Sequence, residues 1–215
     1  AQEYGVRFED VSKSAMGSPP VGPSFGAGAW GDFNQDGYPD LWLGNHALEA
    51  QLWVNDRQGG FLDRTKTWMP GMDSVDSHGA AWADFDNDGD QDLFVAHEGW
   101  LTDEGELRGQ TSKLYLNDGE GVFALVTDDI GLEVPLVGYS ATTFDYDMDG
   151  WLDVYVCGYG RLEAEHNNSW IDATNGKPNG LFRNIKGERF EEVAEQAGVQ
   201  AGYWSYASAA ADYDL

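Results

Sequence analysis

The chain has 215 residues, with 38 acidic against 12 basic side chains and a formal net charge of −26. So anionic a surface repels DNA, RNA and anionic lipid, and no apolar run approaches the roughly 20 residues that span a bilayer, so neither nucleic-acid binding nor membrane insertion is expected. The single cysteine, Cys157, excludes an intrachain disulfide framework.

In chain order, Ala1-Gln2-Glu3 reads as the start of a mature form cut after a small-residue signal site, which points to a secreted, cell-surface or periplasmic protein. Residues 6–11, Val6-Arg7-Phe8-Glu9-Asp10-Val11, read as the outer strand of a repeat whose first three strands do not precede it. A first full repeat spans 26–65. It has a small-residue strand (Gly26 to Trp30), an acidic loop opening at Asp32, and an apolar strand Leu41-Trp42-Leu43. A third strand, Gln51 to Asn55, then leads through a Gly-rich turn into Phe61-Leu62-Asp63-Arg64-Thr65. The second repeat, 79–127, places the same elements around a loop opening at Asp84, with Leu93-Phe94-Val95, Lys113 to Asn117 and Phe123 to Thr127. The third, 139–194, has its loop at Asp145, then Val154-Tyr155-Val156, Gly180 to Asn184 and Phe190 to Ala194. Residues 205–215 open a fourth, with Asp212 and Asp214 beginning a loop that the sequence does not complete. Cys157 sits in the third repeat's second strand and reads as a buried thiol.

Short strands rich in aromatic and β-branched residues, separated by glycine-bearing turns, predict hairpins. Four such strands per repeat predict an all-β chain built as part of a β-propeller, whose blades stack to bury their faces. The acidic loop falls between the first and second strands of each blade, and the Gly/Ala-rich first strand suits the crowded innermost position. The chain reads as a portion of a larger propeller of about seven blades. Self-association or a second chain would then complete the ring.

Each acidic loop follows Asp-x-Asp/Asn-x-Asp-Gly-x-x-Asp. Side-chain oxygens stand at positions 1, 3, 5 and 9: Asp32, Asn34, Asp36 and Asp40; Asp84, Asp86, Asp88 and Asp92; Asp145, Asp147, Asp149 and Asp153. Position 7 (Tyr38, Asp90, Trp151) is expected to offer its backbone carbonyl, and position 6 is glycine each time. Four oxygen side chains, a carbonyl and water supply the six to eight ligands that Ca²⁺ takes, whereas Mg²⁺ demands stricter octahedral geometry. Without His or Cys in the loops, zinc and copper are disfavoured. Three bound Ca²⁺ would bring the formal charge from −26 to −20. An EF-hand would need Glu at position 12 and a following helix; Leu43, Val95 and Val156 stand there, inside strands. The ion's expected role is structural, pinning the first two strands of each blade.

These loops resemble the FG-GAP/VCBS repeats of integrin α-like propellers. Leu114 to Phe123 (Leu-Tyr-Leu-Asn-Asp-Gly-Glu-Gly-Val-Phe) and Phe8-Glu9-Asp10-Val11 are closer to the ASPIC/UnbV, cartilage-acidic-protein-like branch. The resemblance implies the propeller fold and calcium at the three loops. It names no function, since such repeats serve in adhesion, in lectin-like binding and as modules of polysaccharide-processing enzymes.

Recognition is expected on the face opposite the acidic loops, where the connections His97 to Ser112 and Tyr159 to Asn179 are long. Trp100 and Trp170 lie in them, and Trp68, Tyr203 and Trp204 lie in nearby inter-repeat connections. Trp42, Trp53 and Trp82 are expected to pack between blades. Four histidines, His46, His78, His97 and His166, raise a second-metal or catalytic reading, with His46 and His97 taken as equivalent points after the second strand. No nucleophile elbow, phosphate loop or zinc motif is present. The sequence leaves the enzyme question open while favouring an extracellular interaction module that binds a protein or glycan. The alternative is the propeller part of a secreted carbohydrate-active enzyme.

Overall fold

The computed structural model describes residues 7–17, 27–45, 48–72, 76–101, 107–120, 122–126, 130–160 and 176–213. His46, His166, Trp170, Asp214 and the first residues of the expected 6–11 and 26–65 elements lie outside them. The described residues are all-β apart from two short helices, α1 (Ser12–Met16) and α2 (Thr65–Trp68).

Each repeat builds one four-stranded antiparallel meander. Sheet 1 is β1 (Gly28–Gly31), β2 (Asp40–Leu43), β3 (Gln51–Asn55) and β4 (Phe61–Asp63). Sheet 2 takes β5 (Ser77–Ala83) and β6 (Asp92–His97). A two-stranded hairpin follows, β7 (Gly99–Leu101) with β8 (Leu107–Gly109), before β9 (Lys113–Leu116) and β10 (Ala124–Val126) complete the sheet in the order β5-β6-β9-β10. Sheet 3 is β11 (Gly138–Phe144), β12 (Asp153–Gly158), β13 (Gly180–Ile185) and β14 (Arg189–Glu192). All three acidic loops join the first strand of a sheet to the second.

Alternation along the strands explains why the sheets stack. In β6, Leu93 and Val95 enter the core shared with sheet 1, beside Trp42, Leu52 and Phe33, while Phe94 and Ala96 enter the core shared with Val154, Val156 and Phe182 of sheet 3. Successive side chains point to opposite faces, so sheet 2 is buried on both sides and β6 is buried throughout. The first strands approach closely: a Cβ on Gly79 of β5 would lie 2.5 Å from Ser140 Cα of β11, and one on Gly44 would lie 2.4 Å from Ser77 O. Small residues are therefore a steric requirement there. Trp42 is 0% exposed and Trp53 is buried. Trp82 stacks on Phe33 at 5.5 Å. Trp68, in an inter-repeat connection, packs edge-on to Phe33 at 4.9 Å. Cys157 is buried.

Three expected elements differ. Residues 7–11 form no strand: they make no ladder of backbone hydrogen bonds, and Phe8 is exposed. Instead Asp10 Oδ1 accepts from the Ser12 amide and hydroxyl at the start of α1. Asp63 Oδ1 does the same for Thr65 at the start of α2, which ends β4 earlier than expected. Residues 205–213 run beside β11 without joining it; the Thr142 hydroxyl bonds Ser208, and no ladder forms. Among the described residues no helix is long and apolar enough to cross a membrane.

Candidate metal loops

The three loops share one backbone trace, fixed by their own carboxylates. Asp32 accepts the amides of Asp36 and Gly37 at 2.9 and 2.8 Å. Asp84 accepts those of Asp88 and Gly89, and Asp145 those of Asp149 and Gly150. Position 5 then accepts the position 7 amide in each loop: Asp36 from Tyr38, Asp88 from Asp90, Asp149 from Trp151. Residues 4 and 6 both take positive φ (Gln35 54°, Gly37 85°; Asn87 58°, Gly89 101°; Met148 60°, Gly150 90°). Two left-handed residues so close together turn the chain around a centre, and a Cβ at position 6 would be strained.

The turn gathers oxygens. Carboxylates of Asp84, Asp86 and Asp92 offer ligand atoms within 4.8 Å of one another, and so do those of Asp145, Asp147 and Asp153. Loop 1 places Asp32, Asn34 and Asp40 in the same order, with the Asn34 carbonyl accepting from the Asp36 amide. Positions 1, 3 and 9 thus converge in loops 2 and 3, while Asp88 and Asp149 lie outside those tight groups. In the first and third loops an arginine reaches a loop carboxylate: Arg57 Nε donates to Asp36 Oδ2 at 2.9 Å, and Arg183 pairs with Asp147 Oδ2 at 2.7 Å. Asp147 Oδ1 is buried and meets no hydrogen-bond donor. All-oxygen donors with a buried, undonated carboxylate oxygen fit a hard cation.

The position 9 aspartates do more than the spacing indicated. Asp92 Oδ1 accepts the Asn117 amide and Oδ2 the Phe85 amide; Asp153 does the same with Asn184 and Tyr146; Asp40 Oδ1 takes the Asn55 amide. Each carboxylate ties the acidic loop to the third strand. Burial pushes Asp40 up to about 6 and Asp92 up to about 7, the neighbouring loop carboxylates adding to it, and burial raises Asp153. Asp86 is raised too, by burial and then by Asp88. A divalent ion would reverse this, since an opposite charge favours the ionised form.

Residues 32–95 match the FG-GAP-like repeat family. The match begins at the first loop, after β1, takes in β2, β3, β4, β5 and the second loop, and ends within β6. Comparison with curated proteins gives no match.

The spacing of the motifs does not show how one repeat is fastened to the next. Asn117 Nδ2 donates to Phe33 O at 2.9 Å and to Gln91 O; Asn184 Nδ2 donates to Phe85 O at 2.8 Å and to Leu152 O. The asparagines closing the third strands of sheets 2 and 3 therefore reach into the acidic loop of the preceding repeat. Their recurrence at the end of that strand was the available signal. Position 4 makes a second link: Gln35 Nε2 donates to Gly89 O at 2.7 Å and Asn87 Nδ2 to Gly150 O at 3.2 Å.

At the far end of the sheets, His97 pairs in register with Ser77 at the close of β6. Counted from the position 9 aspartates, His46 corresponds to Glu98 rather than to His97, which corrects the expected equivalence. The long connection 97–112 contains the β7–β8 hairpin.

Proposed function

We propose that the chain is a calcium-stabilised β-propeller module of an extracellular or periplasmic protein, one of about seven blades when complete. It binds a glycan or protein ligand on the rim opposite the acidic loops. Three stacked four-stranded meanders joined to FG-GAP-like sequence support the propeller, and the all-oxygen loops support calcium. The ASPIC/UnbV-type branch is favoured by Leu114 to Phe123.

One observation carries the choice of rim. Tyr139, Tyr159, Trp204 and Tyr206 form a continuous aromatic cluster at the strand ends away from the acidic loops. Tyr139 stacks on Tyr159 at 4.7 Å, Trp204 lies 4.5 Å from Tyr159, and Tyr206 is edge-on to both tyrosines at 5.4 and 5.1 Å. Tyr206 is 43% and its neighbour Tyr203 74% exposed. Aromatic faces with hydroxyls at their edges suit sugar rings, which offer both C–H surface and hydrogen-bonding groups. The expected result on a glycan array is selective, calcium-dependent binding that Tyr206→Ala removes while the protein's melting temperature holds. Binding unaffected by that change, or no glycan retained at all, would move the ligand to a protein or to another face.

A further inference from the structure

A second group of metal-ligating side chains lies outside the acidic loops, where β5 begins and β6 ends. His78 Nε2 stands 3.7 Å from Asp76 Oδ1 and 3.9 Å from Glu98 Oε2, and one ligand atom of each residue lies within 4.8 Å of the others. Both distances exceed hydrogen-bond length, and both are close to the spacing that neighbouring ligands adopt around a shared ion. We propose that Asp76, His78 and Glu98 bind a divalent transition ion of the zinc–manganese class, at a site separate from the acidic loops.

The backbone is shaped to bring these three side chains together. The β5–β6 register shifts between Ser77 and Gly79, so His78 is the extra residue of a β-bulge, the device that turns a side chain away from its place in the ladder. The His78 imidazole packs against the Tyr139 ring at 5.2 Å, which fixes its plane; Tyr139 is itself at a register shift in β11. The Asp76 carbonyl lies 3.2 Å from His97 Nδ1, and Glu98 is held by a bridge to Val137 and by the Gln110 amide on its carbonyl. The His78 side chain is only 11% exposed.

The donor set decides the ion. Imidazole suits zinc, iron and nickel, whereas carboxylates also accept manganese; an all-oxygen site would suit calcium. Three protein ligands leave positions for water or for a ligand oxygen, and the Tyr139 ring places them beside the aromatic cluster. β5 is seven residues long, about 20 Å at strand rise, which keeps this group distinct from the loop centred on Asp84.

The test is a Co²⁺ titration of the whole chain, read by visible absorption in saturating Ca²⁺ so that the loops are filled with a spectrally silent ion. One equivalent of Co²⁺ is expected to give ligand-field bands, and His78→Ala or Glu98→Gln is expected to weaken binding by about tenfold or more. In the unaltered protein, stoichiometric Zn²⁺ is expected to move the His78 ring resonances, a readout that needs no variant to fold. Absent bands, Co²⁺ binding indifferent to both variants, or unmoved His78 resonances would overturn the proposal. Because every readout is tied to His78 or Glu98, the result stands or falls independently of calcium in the loops.

Discussion

The aspartates at position 9 show how one residue type carries two constraints. Asp40, Asp92 and Asp153 are fully buried and accept backbone amides from the third strand, so each would be costly to ionise without a cation. The sign of the effect follows. With folded values of about 6 for Asp40 and about 7 for Asp92, against about 4 for an unfolded aspartate, the folded state holds more protons between pH 4 and 7. Stability of the cation-free protein therefore falls as pH rises through that window. With chelator and enough salt to screen the surface, the melting temperature should drop by roughly 5 °C or more between pH 5 and pH 8. Millimolar Ca²⁺ should restore it at pH 8 and do little at pH 5, where protons occupy the carboxylates. A melting temperature indifferent to both chelator and pH would remove calcium from its structural place. The spacing singled these residues out as candidate ligands; their bonds to the third strand were not legible, because nothing in a nine-residue pattern says which strand will lie beside it.

At the level of elements, the repeats told most of the story because each says the same thing three times. Strand order, loop position and the glycine-bearing turns all followed from that recurrence. The elements left without a ladder are those whose identity depends on a neighbour. Phe8 to Val11 shares the Phe-x-Asp pattern of β4 and its Asp-to-Ser/Thr bond, yet forms no ladder, and Ser208 borders β11 through a single hydroxyl. Pairing, not local preference, makes a strand. The same reasoning singles out Asn117 and Asn184, which look like any turn-forming asparagine. Their amides cross to Phe33 O and Phe85 O of the preceding repeat and are almost wholly buried. Replacing either with alanine strands one buried and one half-buried carbonyl and should cost about 1–3 kcal/mol, a fall of several degrees in melting temperature. Asn55 Nδ2 donates only to Pro39 O of its own repeat, at 3.2 Å, and its Oδ1 accepts the Arg57 amide, both exposed bonds, so Asn55→Ala should cost clearly less. Equal losses at all three positions would show that the asparagines serve their own turns rather than the joint between repeats.

Across the whole molecule, these joints place the acidic loops in series. The position 4 residue can reach the next loop only when its own loop holds the left-handed conformation seen at Gln35 and Asn87. A cation that fixes one loop therefore also fixes the donor that grips the Gly89 or Gly150 carbonyl of the next, and the second loop binds with part of its ordering already done. Coupling of this kind is reciprocal and typically worth about 1–3 kcal/mol. Calcium titration by calorimetry should then show positive cooperativity among the three loops. Gln35→Ala should uncouple loop 1 from loop 2, Asn87→Ala should uncouple loop 2 from loop 3, and the double variant should bind three ions independently. Met148, in the same left-handed position of loop 3, is 89% exposed and carries no amide, so Met148→Ala should leave the titration unchanged. Independent binding in the unaltered protein would mean that the loops are preformed. Gln35 and Asn87 would then brace the stack of sheets without passing anything between its ions, and the net charge of −26 would be neutralised one loop at a time.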